Sequence, residues 1–128
     1  MKLLVDTCTF LWIAEGRPTL PRQVTDLYES VDNDVYLSAA SAWEIAIKHA
    51  NKRIRLADVP VRFVPAQRIA HGISSLPVDE ESALHAARLP LLHRDPFDRF
   101  LVGQAIVHGM TILTPDPLIA QYSVRVVW

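Results

Sequence analysis

The sequence lacks several features that would place it in a class at once. Its single cysteine, Cys8, rules out an internal disulfide, so a reducing cytoplasm is the expected location. No apolar run approaches the roughly 20 residues that a membrane-spanning helix needs. Only three apolar residues separate Lys2 from Asp6, which is too short for a secretory leader. We therefore expect neither a membrane protein nor a disulfide-stabilised secreted domain.

The sequence also has almost equal numbers of basic and acidic residues. The 13 basic and 14 acidic residues give a net charge of −1, so binding of nucleic acid would need a local basic patch or a metal. The five histidines show no paired spacing of the kind that zinc sites use. The remaining composition is that of an ordinary globular protein, and it predicts one domain over residues 1–128.

Strand and helix signals alternate along the chain, which predicts an α/β fold with a parallel sheet covered by helices. Gly16 and Pro18 mark the end of the first helix, and Pro77 favours an edge position for the third strand. The predicted strands are 2–6, 35–38, 73–78, 110–114 and 124–127. The predicted helices are 7–15, 21–31, 39–51, 59–71, 80–89, 96–108 and a short turn near 117–121.

Two predicted helices carry apolar residues at helical spacing, which predicts faces that pack on the sheet. In the second helix this face is Val24, Leu27, Tyr28 and Val31, and in the third it is Ala39, Trp43, Ile47 and Ala50. We expect Trp12 and Trp43 in the core, with contact to a protein partner as the alternative.

Four carboxylates occupy positions from which they could converge. Asp6 follows the first strand and Asp116 follows the fourth, while Glu44 and Asp98 lie near the starts of largely apolar helices. Open α/β sheets bind ligands beyond the carboxyl ends of their strands. Each acid also has an ordinary interpretation. Asp6 could be a helix cap, and Glu44 could form an ion pair with Lys48. Asp98 could be a capping-box acid, and Asp116 could be a turn residue.

Carboxylates gathered at one edge would repel one another without a cation. Hard oxygen ligands suit Mg²⁺ or Mn²⁺. Such an ion can align a water molecule for in-line attack on a phosphodiester. The four acids together thus predict a metal-dependent nuclease, in which Asp95 serves as the N-cap of the sixth helix.

Four motifs in order, LLVDT, SAASAWEIAIK, HRDPFDRFLVGQA and ILTPD, resemble the PIN domain. More narrowly, they resemble the VapC-type ribonuclease toxins of bacterial toxin–antitoxin pairs, over nearly the whole chain. The resemblance implies a three-layer α/β/α fold with a parallel sheet in the order 3-2-1-4-5. It also implies endonuclease action on RNA with Mg²⁺ or Mn²⁺, with Asp6, Glu44, Asp98 and Asp116 as the catalytic and metal-binding acids.

The same resemblance implies accessory residues and partners. Asp95 is a possible accessory acid, and Thr7 and Thr114 match small hydroxyl residues that could orient a ligand or water. A homodimer is expected, held inactive by an antitoxin whose C-terminal segment occupies the active-site groove. Cys8 departs from the histidine that members with the DPFDR motif often carry there; we expect it to pack in the first helix, outside the chemistry.

Basic residues near these acids allow two interpretations. Arg94 and Arg99 could hold a phosphate, or could pair with Asp95 and Asp98. The densest basic run lies around the end of the helix that carries Glu44 and consists of Lys48, His49, Lys52, Arg53 and Arg55. It could be a solvated face or a contact to RNA phosphates.

Two other functions fit parts of the pattern. A phosphoacceptor receiver domain could use Asp79, but it needs a lysine after its last long strand, and the only lysines are Lys2, Lys48 and Lys52. A PIN-fold module that binds RNA or a partner without cutting it is the second alternative.

Overall fold

Five parallel strands form one sheet in a computed structural model that describes residues 1–17 and 19–128. The strands are β1 (Lys2–Val5), β2 (Asp34–Ser38), β3 (Ile73–Leu76), β4 (Thr111–Leu113) and β5 (Val126–Val127). Their order is β3-β2-β1-β4-β5, which confirms the predicted order and places β3 at an edge. Strands β3, β4 and β5 span fewer residues than predicted, because pairing with a neighbouring strand covers only part of each predicted run.

Seven helices join and cover these strands in the described residues. They are α1 (Thr7–Glu15), α2 (Arg22–Glu29), α3 (Ala39–Ala50), α4 (Pro60–Ala70), α5 (Glu80–Arg88), α6 (Pro96–His108) and α7 (Pro117–Ala120). Local chemistry sets their ends. Asp6 and Asp95 accept backbone N–H groups at the starts of α1 and α6, and Gly16 and Gly109 end these helices with φ near 66° and 65°. The predicted role of Pro18 lies outside the described residues.

The hydrophobic core lies on both faces of the sheet. Leu3 and Val5 of the central strand pack into one cluster, and Leu4 between them packs into the other, as alternation along a strand requires. Helices α1 to α4 contribute to the first cluster and helices α6 and α7 to the second. This arrangement gives the predicted three-layer α/β/α fold.

Three residues of the faces predicted to pack on the sheet, Val31, Trp43 and Ala50, are exposed instead. Val31 is 98% exposed because α2 ends at Glu29, two residues before it. Trp43 is 65% exposed because the buried face of α3 is centred on Glu44 and Ile45. The ring of Trp43 lies edge-on to Phe97. Helical periodicity showed that α3 has an apolar stripe, but not which stripe faces the sheet.

No helix in the described part of the chain is long and apolar enough to cross a membrane.

Candidate active site

All four predicted acids line one cavity at the carboxyl end of the sheet. Its volume is about 280 Å³. Asp6 directly follows β1, Asp116 follows β4, Glu44 lies in the second turn of α3 and Asp98 in the first turn of α6. The other lining residues are Thr7, Cys8, Leu11, Lys48, Ile54 and Asp95. The strand-end argument therefore placed the acids correctly, whereas their chemical roles stay a prediction.

Two of these aspartates cap a helix with one oxygen and leave the other for contacts inside the cavity. Asp6 Oδ1 accepts the N–H of Thr9 at 2.9 Å, and Asp6 Oδ2 accepts the hydroxyl of Thr114. Asp116 Oδ1 accepts the N–H of Leu118 at 2.8 Å. The ordinary and the functional interpretations of these residues are thus compatible, because a carboxylate has two oxygens.

Glu44 is held from two sides. The hydroxyl of Thr7 donates to Oε1 at 2.5 Å, and Lys48 Nζ lies 2.8 Å from Oε2. The predicted ion pair with Lys48 exists, but Glu44 is only 4% exposed and lines the cavity. Thr7 and Thr114, both predicted accessory residues, therefore each contact one acid of the cavity.

His93 joins the other two acids, and the sequence analysis missed it. Its Nε2 lies 3.0 Å from Asp98 Oδ2 and 2.9 Å from Asp116 Oδ2. The histidines were set aside because their spacing does not suit zinc. The sequence did offer one signal: His93 is the first residue of the motif HRDPFDRFLVGQA, close in the chain to Asp95 and Asp98.

The cavity carries more negative than positive charge. Burial, followed by repulsion from Asp95 and Glu44, raises the pKa of Asp98 to about 7, although His93 acts in the opposite direction. Burial, followed by the charge of Asp6, raises the pKa of the Cys8 thiol to about 12. Cys8 lies on α1, as expected, and its Sγ lies 3.3 Å from Asp6 Oδ1, so it also borders the cavity; that it takes no part in the chemistry stays a prediction.

Arg99 does not take the role predicted for it. Its guanidinium donates to backbone carbonyls around the end of α5, namely those of Ala86, Leu89 and Pro90 at 3.1, 3.1 and 2.9 Å. These bonds fix the turn between α5 and α6 in place of a phosphate or the two nearby acids. Asp95 caps α6, as predicted, by accepting the N–H of Phe97 at 2.9 Å.

A second cavity of about 360 Å³ adjoins the acidic one and is partly basic. Lys48, Arg53 and Arg94 line it together with Glu44 and Asp95. Lys48 and Arg53 of the basic run therefore lie beside the acids, which the interpretation of this run as a contact to RNA phosphates requires.

The family model of the PIN domain matches residues 3–124. The chain belongs to the PIN domain family. This confirms the family predicted from the four motifs, and it agrees with the parallel sheet in the order 3-2-1-4-5.

Individual relatives of this PIN domain carry VapC-type names. It is 32% identical over 87 residues to Ribonuclease VapC16 of Mycobacterium tuberculosis, a match that covers 62% of each chain. The match thus spans less than two thirds of that relative's length.

Solved structures with the same fold include two complexes with DNA. VapBC2 from Rickettsia felis, bound to a promoter fragment, has a TM-score of 0.73 at 11% identity and covers 99% of this chain and 98% of that one. DNA-bound VapBC from Salmonella typhimurium has a TM-score of 0.68 at 20% identity and covers 99% and 97%. At such identities the likeness concerns the fold.

Proposed function

We propose that this PIN domain is an endoribonuclease that hydrolyses RNA phosphodiester bonds with Mg²⁺ or Mn²⁺, as the toxin of a toxin–antitoxin pair. The observation that carries the proposal is the convergence of Asp6, Glu44, Asp98 and Asp116 on one cavity. The relative named a ribonuclease supports the reaction class. The VapBC neighbours support a protein partner.

The donor set of the cavity fits a hard divalent cation. Five carboxyl groups line it, and carboxylate oxygens are the ligands that Mg²⁺ and Mn²⁺ prefer. Asp6, Asp98 and Asp116 would hold the ion, with Glu44 beside them. When bound, the ion supplies an activated water molecule and neutralises charge on the phosphate.

The remaining contacts orient these carboxylates. Thr114 and the backbone of Thr9 fix the two oxygens of Asp6, while Thr7 and Lys48 fix those of Glu44. Outer contacts of this kind set ligand orientation, and their loss typically costs about 10–100-fold in metal affinity or activity.

The basic cavity supplies a site for the RNA backbone. Lys48, Arg53 and Arg94 would contact phosphates next to the one that is cut. This local patch explains how a chain with a net charge of −1 could bind RNA.

We also propose the homodimer and the antitoxin that the resemblance implied, with residues 1–128 as one domain in the cytoplasm. The exposed Trp43 supports a protein contact, because it borders an apolar cavity of about 430 Å³ beside α6. Light scattering of the purified protein tests the dimer.

Cleavage of end-labelled tRNA and mRNA by antitoxin-free protein tests the proposed activity. Reactions contain Mg²⁺, Mn²⁺ or EDTA. We expect metal-dependent cutting that falls more than about 100-fold in Asp6→Asn, since this variant loses a ligand and not only an outer contact. Asparagine still caps α1, so the fold should persist.

Asp26→Asn is the matched control, because Asp26 lies exposed on α2 and should leave cleavage unchanged. Full activity of Asp6→Asn would contradict the proposal. Absence of cutting in any RNA, with the metal bound and the fold intact, would favour the alternative of a binding module without cleavage.

A further inference from the structure

His93 lies in the loop between α5 and α6, buried beneath the acidic cavity. Its Nε2 is within 3.0 Å of an oxygen of Asp98 and 2.9 Å of an oxygen of Asp116. These acids belong to different elements, since Asp98 is on α6 and Asp116 follows β4. One ring nitrogen therefore links the two parts of the cavity.

The other ring nitrogen decides which tautomer is present. The backbone N–H of Asp95 donates to His93 Nδ1 at 3.1 Å. A backbone N–H can only donate, so Nδ1 must present its lone pair, and the hydrogen of the neutral ring is then on Nε2. The Nε2–H group consequently donates to Asp116 Oδ2 and also lies 3.0 Å from Asp98 Oδ2.

This tautomer argues against His93 as a metal ligand. A ligating Nε2 would need its lone pair free, which would move the hydrogen to Nδ1. There it would face the N–H of Asp95, and two donors would meet with no acceptor between them.

We propose that His93 is a positioning residue that donates its Nε2–H to Asp116, lies in contact with Asp98 and does not bind the metal itself. The inference rests on the metal site under the proposed function. It adds a residue that positions two of the acids. The closeness of His93 to these acids would otherwise suggest that it is a metal ligand.

The loop supports this role through the backbone. The N–H groups of Leu92 and His93 donate to the hydroxyl oxygen of Tyr122 at 3.2 and 2.9 Å, and that hydroxyl donates to the carbonyl of Pro90 at 2.8 Å. The imidazole is thus held from behind by Tyr122 and does not depend on the acids alone for its position.

A long-range ¹H–¹⁵N spectrum of the metal-free protein tests the tautomer. We expect His93, assigned by the loss of its signals in His93→Gln, to carry its hydrogen on Nε2. We expect the same tautomer after saturation with Mg²⁺. An Nδ1–H tautomer in either state would overturn the proposal.

Mn²⁺ titration of three proteins tests the positioning role. His93→Ala should bind Mn²⁺ at least about 10-fold more weakly than the wild type, the usual cost of losing an outer contact. His93→Gln should stay within about threefold, because its amide N–H can occupy the place of Nε2–H. His85→Ala, on α5, is the control and should not change the affinity.

Two results of the titration would overturn the role: wild-type affinity in His93→Ala, or an equal loss in His93→Gln and His93→Ala, with folding checked by circular dichroism. Failure of the wild type to bind Mn²⁺ or Mg²⁺ would overturn the metal site together with this role. The metal-free spectrum would still decide which ring nitrogen of His93 carries the hydrogen.

Discussion

Two histidine–carboxylate contacts of equal length, His93–Asp98 and His108–Asp79, have opposite electrostatics. His93 Nε2 lies 3.0 Å from Asp98, and His108 Nε2 lies 3.0 Å from Asp79. Yet the pKa of Asp98 is raised to about 7, whereas that of Asp79 is lowered to about 2. A histidine partner therefore does not by itself determine how a carboxylate ionises.

The surroundings account for the difference. Asp98 is only 18% exposed, and both its burial and the neighbouring charges of Asp95 and Glu44 raise its pKa. Asp79 is 32% exposed; burial also raises its pKa, but hydrogen bonds from His108 and from the N–H and hydroxyl of Ser82 outweigh that effect. Asp79 is a well-satisfied helix cap, whereas Asp98 belongs to a group of acids in which negative charge exceeds positive charge.

The largest effect is expected from Asp98→Asn in metal-free protein. The folded pKa of Asp98 lies above its ordinary value of 3.8, so stability falls as pH rises from about 4 to 7, and the penalty is complete above pH 7. Removing the charge should raise the free energy of unfolding at pH 8 by roughly 1–3 kcal/mol, after a discount for partial exposure, with no gain at pH 4.

Urea unfolding in EDTA measures this change in the free energy of unfolding. Asp79→Asn is the corresponding variant at the other histidine–carboxylate contact. That variant should be less stable than the wild type by under about 1 kcal/mol, because it weakens a satisfied cap. A loss of stability in Asp98→Asn at pH 8 would show that the two contacts are electrostatically alike.

Removal of one hydroxyl donor from each region should have unequal effects. Thr114→Val deprives the buried Asp6 of a donor and the N–H of Asp116 of its acceptor, which should cost about 1–2 kcal/mol. Ser82→Ala leaves Asp79 with the N–H of Ser82 and with His108, so about 0.5 kcal/mol is expected. Equal losses in urea unfolding would contradict the comparison.

The smallest effect concerns acid stability. The pKa of Asp79 is lower in the folded state, so its stabilising contribution is present above about pH 4 and is lost as pH falls toward 2. Asp79→Asn should not show this part of the loss of stability that acid causes in the wild type. Circular dichroism of both proteins between pH 5 and 2 measures it, and parallel curves would count against the lowered pKa.

Most of the fold could be predicted because its determinants are local. Asp6 and Asp95 cap α1 and α6 as predicted, and α6 ends at His108, the predicted position. Exposure was harder to predict, since it depends on which stripe of a helix meets the sheet. The misplacement of Trp43 has this cause.

The candidate site was predictable only in part. Asp6 and Asp116 follow strands, so sheet geometry brings them together, whereas Glu44 and Asp98 were chosen because each lies on a largely apolar helix. His93 and Arg99 depend on the path of the loop between α5 and α6, which no periodicity describes. Their roles follow from tertiary hydrogen bonds.

The contact between Thr114 and Asp6 joins residues 108 positions apart in the chain. Proteins are synthesised from the amino end, so the first acid of the cavity leaves the ribosome long before the residues that fix it. Tyr122, which anchors the His93 loop, emerges later still. Under the proposed ribonuclease function, this order has a protective consequence: the growing chain does not assemble its cavity while most of its own message is still being read.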